Sequence, residues 1–271
     1  MMQPSLRVVS NDVARFATIT TSPSAVPSLP ASNALNDIKG NICRVESSEV
    51  VLNLSWSESR QVSFVGIPAC NLSSDSEYRL VARESGSIVY DSDWQYAAQG
   101  TILDYGDFTQ PLNVNSFLEG ETIVSIWLDD HYMVDSVELH LRDPSRTYID
   151  ISRIIAGADF RPKWCASYGS SLSREDLTSV SRSAGGDLRI DRGPVFRVAS
   201  LDIRAIHASD RHRFQRIMMA GLGKMHFVSV LQGHYDVTLE QDWSIYGVIE
   251  PGPLQFLSSR HHSTQWQIRS W

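Results

Sequence analysis

The stretch Ser63–Trp94, SFVGIPACNLSSDSEYRLVARESGSIVYDSDW, constrains the fold more than any other part of the chain. SFVGIPAC carries Phe64, Val65 and Ile67, and an Asn71-Leu72-Ser73 turn follows it. EYRLVARE then sets Tyr78, Leu80 and Ala82 against Arg79, Val81 and Arg83. Gly86 turns the chain into SIVYDSDW. Side chains alternate between the two faces of a strand, so this wording buries one face and wets the other. The stretch predicts antiparallel strands joined by short turns.

The same pattern recurs on both sides. VVLNLSW places Val51, Leu52, Leu54 and Trp56 near a core, and ETIVSIWLDD and SVELHLRD alternate cleanly. Strands at this spacing, punctuated by Gly, Pro and Asn, predict an all-β sandwich over residues 31–142. Residues 143–271 read as a second β-rich domain with one short helix near 209–220. Ser209 is its expected N-cap, Phe214, Ile217 and Met218 share a face, and Gly221 and Gly223 end it. Residues 1–30 hold strand-like pieces and then Pro23, Pro27 and Pro30 among small residues. Proline fixes φ and removes a donor, so this is an extended arm, lying either on its own surface or on a neighbouring subunit.

Composition narrows the class. Of 271 residues 42% are hydrophobic and 20% charged, which fits a globular chain. A net charge of -7 argues against a general nucleic-acid binder, with Arg211, Arg213 and Arg216 as the one local basic cluster. Cys43, Cys70 and Cys165 form no CxxC pair, so neither a disulfide framework nor a structural zinc site is expected. The odd count fits a reducing cytoplasm. The N-terminal segment has no long apolar run, so neither a signal peptide nor a membrane span is expected there.

Chemistry-bearing motifs are sparse. His261 and His262 are adjacent and would face opposite sides of a strand, and His207 and His212 sit five apart around a helix start. Asp129-Asp130-His131 lacks the alternating oxygen ligands of a calcium loop and reads as a polar turn. No GxSxG, HExxH or phosphate-cradling glycine loop is present. No catalytic residue, metal or cofactor is therefore expected. Seven tryptophans remain. Most tryptophans pack in cores, and Trp127 is expected there. Trp56 and Trp94 lie near strand ends, where an exposed ring would stack on a sugar, so both are candidate glycan contacts.

Two resemblances sharpen this reading. NALNDIKGNICRVESS followed by VVLNLSWSESRQVSFVGIPACNLSSDSEYRLVA resembles the discoidin or galactose-binding-like jelly roll, although Cys43-Arg44-Val45 replaces a Trp-Arg-Ser-like segment of that family. This implies a jelly roll over residues 31–142. TYIDISRIIAGADFRPKW resembles minor tail, distal-tail-like virion proteins of long-tailed bacteriophages through Tyr148, Asp150, Ile151, Arg153, Ala156, Gly157, Pro162 and Trp164. That resemblance implies an assembly role for Tyr148, Asp150, Arg153, Gly157, Pro162 and Trp164. It implies a non-enzymatic component of a tail tip or baseplate. Copies would form a ring or collar between tail tube and tip hub, next to tube, hub and tape-measure proteins. Such a protein is made in the host bacterial cytoplasm and ends in the virion tail. The alternative is a carbohydrate-binding module for host-surface glycan. A glycan hydrolase using Asp129 or Asp130 is a third reading.

Overall fold

A computed structural model describes residues 5–98, 122–166, 169–220, 223–232, 241, 243–256 and 262–271. Two compact units emerge. One is Val9–Asp159 with Tyr235–Gln241, and the other is Met1–Val8, Phe160–His234 and Asp242–Trp271.

The first unit is built on antiparallel strand pairs. Its strands are β1 (Ser5–Asp12, shared with the second unit), β2 (Thr18–Ser22), β3 (Cys43–Val45), β4 (Glu49–Cys70), β5 (Glu77–Glu84), β6 (Ser87–Asp91), β7 (Gln95–Tyr96), β8 (Thr122–Arg142), β9 (Ile149–Ile151) and β10 (Ile155–Phe160). The ribbon of β4 and β8 organises it. Glu49 pairs with Arg142 at one end and Cys70 with Thr122 at the other, with register shifts between Ser55 and Arg60, Val62 and Phe64, and Ile67 and Cys70. Bulges bend a strand and raise its twist, which lets strands this long stay on one core. Val50, Leu52, Leu54 and Trp56 of β4, Val137, Leu139 and Leu141 of β8, and Tyr78, Leu80 and Ala82 of β5 point into that core. Each such side chain stabilises the fold by roughly 1.5–3 kcal/mol through burial. Beyond the first of these shifts Val62–Cys70 is buried on both faces. The alternation read in EYRLVARE is present: Tyr78, Leu80 and Ala82 face inward, although Val81 is also buried.

Residues 143–159 belong with these strands. Val45 pairs with Ile149 and Cys43 with Ile151, while Ile155 and Gly157 pair with Gly66 and Phe64. The division between units thus falls at Asp159, not at 142, because pairing partners far apart in sequence decide it. The proline-rich arm also stays on its own chain. Thr18–Ser22 pairs with Val51–Ser55, the Val26 N–H donates to Arg44 O (2.9 Å), and the Arg44 N–H donates to Leu29 O (3.1 Å).

The second unit contains β11 (Ser171–Asp176), β12 (Ser179–Arg182), β13 (Leu188–Asp191), β14 (Val195–Ile206), α1 (Arg211–Ala220), β15 (Met225–Gln232), β16 (Ser244–Pro251), β17 (Gln255–Phe256) and β18 (His262–Ser270). The sheet runs β11-β14-β18-β16-β15, with β17 on β18, while β12 and β13 form a separate two-stranded sheet. Phe214 and Ile217 of α1 pack on Leu201, Ile203, Trp266 and Ile268. The helix begins later than its expected cap. The Phe214 N–H donates to Asp210 O (3.1 Å), and the Ser209 hydroxyl instead meets His207 Nδ1 at 2.7 Å and Asp210 Oδ1 at 3.0 Å. Gly221 and His261 lie outside the described residues.

Candidate functional site

The outer face of the first unit carries a row of directly opposed residues across four strands. Tyr96 of β7 stands opposite Glu77 of β5, Glu77 opposite Arg142 of β8, and Arg142 opposite Glu49 of β4. Opposed residues in an antiparallel pair share a face. Their neighbours Tyr78, Leu141 and Val50 are buried, so the row faces water.

The turn that brings Trp94 to this row is fixed by short-range bonds. The Leu80 N–H donates to Ser92 Oγ (2.8 Å), and the Ser92 N–H donates to Leu80 O (3.0 Å). Asp93 takes a left-handed φ of 52°. Arg79 grips Asp91 through Nε (2.9 Å) and Nη2 (2.5 Å). The Arg79 guanidinium holds the Asp91 carboxyl down at about 2, so both remain charged across the neutral range. Gln95 accepts from the Tyr78 hydroxyl (2.9 Å) and donates to Ser92 O (3.0 Å).

Trp94 is 41% exposed and Tyr96 61% exposed. The Arg142 guanidinium lies 4.1 Å from the Trp94 ring centre, and His140 meets the same ring edge-on at 6.2 Å. Arg142 Nε donates to Glu77. A cleft of about 590 Å³ opens beside them, lined by Glu49, Asp75, Glu77, Tyr96, Arg142 and Asp143 among others. Asp143 is buried and braces the floor, accepting from Ser73 N (2.6 Å), Ser73 Oγ (2.8 Å) and Ser145 N (2.9 Å). Exposed aromatic rings beside carboxylates and a guanidinium suit a polyhydroxylated ring, which offers an apolar C–H face and a rim of hydroxyls.

Trp56 is not part of this surface. It is buried, and its indole N–H donates to Val13 O (2.8 Å). It shares the inward parity of Leu52 and Leu54, so its role as a glycan contact is corrected to core packing. Trp127 is half-buried, with its ring centre 4.2 Å from that of Phe64.

The residues assigned to assembly make contacts within the chain. Asp150 accepts two bonds from Arg44, each 2.7 Å, and Arg44 covers the Tyr148 ring at 4.4 Å. Arg153 is fully buried. It pairs with Asp12, reaches Asp37 at 3.0 Å and donates to Ala34 O at 3.2 Å. Burial pushes the Asp12 carboxyl up, against the pull of Arg153. A Cβ on Gly157 would lie 2.2 Å from Asn11 O, so glycine is what lets β1 and β10 approach. Pro162 is buried, and Trp164 stacks edge-on to His207 at 5.3 Å.

A Ser-Asp-His group escaped the sequence reading because its members are distant in the chain. The Ser63 hydroxyl donates to Asp159 Oδ1 (2.5 Å), and His131 Nε2 lies 3.2 Å from the same oxygen. The carboxylate sits between serine and imidazole, and Ser63 is buried. A nucleophile needs the base beside it and access to substrate, so this group braces the fold. Asp129 and Asp130 are exposed, and Asp129 accepts from the Tyr132 hydroxyl at 2.9 Å. Among the described residues no group of three or more His, Cys, Asp or Glu is placed to hold a metal, and no helix is long and apolar enough to cross a membrane.

No protein-family model and no curated protein matches the sequence. Solved structures do. A chitosan-binding module of a chitosanase/glucanase from Paenibacillus sp. IK-5 is 14% identical, with 55% of this chain and 99% of that chain covered and a TM-score of 0.38. The family 32 carbohydrate-binding module of NanJ from C. perfringens, in complex with galactose, is 12% identical, covering 55% and 98%, with a TM-score of 0.39. The lectin binding domain of Lectinolysin, complexed with Lewis b, is 11% identical, covering 56% and 99%, also at 0.39. This chain is mainly β and antiparallel in its own right. The likeness to these modules is partial at such scores and identifies no ligand.

Proposed function

We propose that this chain is a non-catalytic recognition protein that binds carbohydrate on its Trp94–Tyr96 face. The observation that carries the reading is the pair of exposed rings set beside the Glu77–Arg142–Glu49 row. A sugar would stack its C–H face on an open ring and set hydroxyls against the carboxylates and the guanidinium. The ligand proposed is a glycan of a bacterial surface. Titration calorimetry against host surface polysaccharide tests it: saturable binding is expected, and loss of binding in Trp94→Ala. Failure to bind any host glycan, or unchanged binding in Trp94→Ala, would overturn it.

A second reading, a structural component of a phage tail tip forming a ring or collar between tube and hub, draws support from a different feature. The hairpin of β12 and β13 exposes Val180, Leu188 and Ile190, a surface suited to a partner. Immunogold imaging of purified virions tests that placement. Labelled tail tips are expected, and particles that lack the protein would sink the reading.

A further inference from the structure

The hairpin Ser179–Asp191 is built unlike the rest of its unit. Its two strands pair only with each other among the described residues, in the register Ser179↔Asp191, Val180↔Ile190, Ser181↔Arg189 and Arg182↔Leu188. The turn is well held. The Ser183 N–H donates to Asp187 O (2.9 Å), the Asp187 N–H to Ser183 Oγ (3.1 Å), and Arg182 Nη1 to Gly186 O (3.1 Å). Gly186 has a φ of 90°, which suits glycine. Because opposed residues share a face, Val180, Ile190 and Leu188 lie together on one side, with Arg182 opposite Leu188 at its turn end. Ser179, Ser181, Arg189 and Asp191 lie on the other. The apolar side is bare: Val180 is 61%, Leu188 56% and Ile190 55% exposed.

A two-stranded ribbon is marginal in water, and three or four strands with one apolar face are stable. The outer edge of β13 also offers unpaired backbone groups that template another strand. The charges say which strand. Between Asp176 and Arg192 three aspartates balance three arginines, so the hairpin is neutral on a chain of net charge -7. A nucleic acid or an anionic membrane would call for a basic face, which the hairpin does not have. The edge is instead complementary to itself. If β13 meets β13 of a second copy antiparallel about Ile190, each Arg189 stands opposite the other copy's Asp191, and the two Ile190 side chains meet. The apolar row then runs Val180, Ile190, Ile190, Val180 across four strands.

We infer that β13 is a self-association edge, through which a second copy of this chain pairs about a two-fold axis at Ile190. Such an isologous contact uses each residue pair twice. It is independent of the glycan site, and would join two such sites in one particle.

Sedimentation velocity on the full chain across a concentration series tests it. The wild type is expected to move from one chain of 30.3 kDa to a dimer. R189D sets aspartate opposite aspartate twice, and is expected to weaken association roughly tenfold or more. The double variant R189D/D191R restores opposite charges and is expected to restore the dimer. Both positions are on the surface, and circular dichroism should be unchanged. A wild type that stays at one chain at every concentration overturns the inference. So does an assembly of any size that R189D leaves intact, or one that the double variant fails to recover.

Discussion

The Arg142 guanidinium carbon sits 4.1 Å from the centre of the Trp94 ring while its Nε donates to Glu77. One face of Trp94 is thereby occupied from within the protein, and only the opposite face remains for a ligand. The cation also leans on the electron-rich face of the ring, which holds the indole upright. Arg142 is thus both a wall of the cleft and the brace for the tryptophan beside it.

Trp94 and Trp56 should separate cleanly on mutation. Trp94→Ala removes an exposed anchor and should cost about 2 kcal/mol of binding, roughly thirtyfold in Kd, with little loss of stability. Trp56→Ala should cost about 3–5 kcal/mol of stability and leave the Kd of the folded protein unchanged. Calorimetry and urea unfolding on both variants check this. Equal binding losses in the two would contradict the placement of Trp56 in the core.

Arg153 should be the most sensitive polar residue of the first unit. Arg153→Ala strands the buried Asp12 carboxylate without its cation, and should cost about 3–5 kcal/mol. The double variant D12N/R153M removes both charges and should recover part of that loss. Denaturant midpoints measure both. A loss below 1 kcal/mol in Arg153→Ala would mean that the guanidinium is not buried as described.

His226 should make the second unit acid-sensitive. Its side chain is buried, and burial, with the nearby Lys224 charge, pushes its pKa down to about 4 from an ordinary 6.5. The folded state therefore resists a proton that the unfolded state accepts. Above pH 6.5 the residue is neutral in both states and adds no pH dependence. As pH falls from 6.5 toward 4 stability is lost, by up to about 3 kcal/mol. His226→Phe should flatten the melting temperature across that window. A wild-type melting temperature that does not fall between pH 7 and 4 would exclude the effect.

Thiol reactivity should rank by burial. Cys43 is buried beside Asp150, and the desolvated thiol is pushed up to about 11. Cys70 is buried and its thiol donates to Thr122 O (3.2 Å). Only the thiolate attacks disulfide reagents, so Cys165, the one partly exposed cysteine, should react first at pH 8. Mass spectrometry after timed labelling reads the order. Rapid labelling of Cys43 in the native protein would be the contrary result.

The alternation of EYRLVARE, VVLNLSW and SVELHLRD was enough to place the core of the first unit, since a period of two assigns each side chain to a face without reference to any partner. Trp56 was legible by that same parity, because it falls in step with Leu52 and Leu54. The site was not legible. Glu77 and Arg142 are 65 residues apart, and only strand register makes them neighbours. The same holds for Arg153 and Asp12, 141 residues apart: local pattern marks an arginine as polar, and cannot say that a distant carboxylate will accompany it into the core. The sequence by itself determined which side chains share a face along the alternating strands. The tertiary structure decided which water-facing residues stand side by side, because hydrogen-bond register between distant strands is set by the whole sheet and by the bulges that bend it.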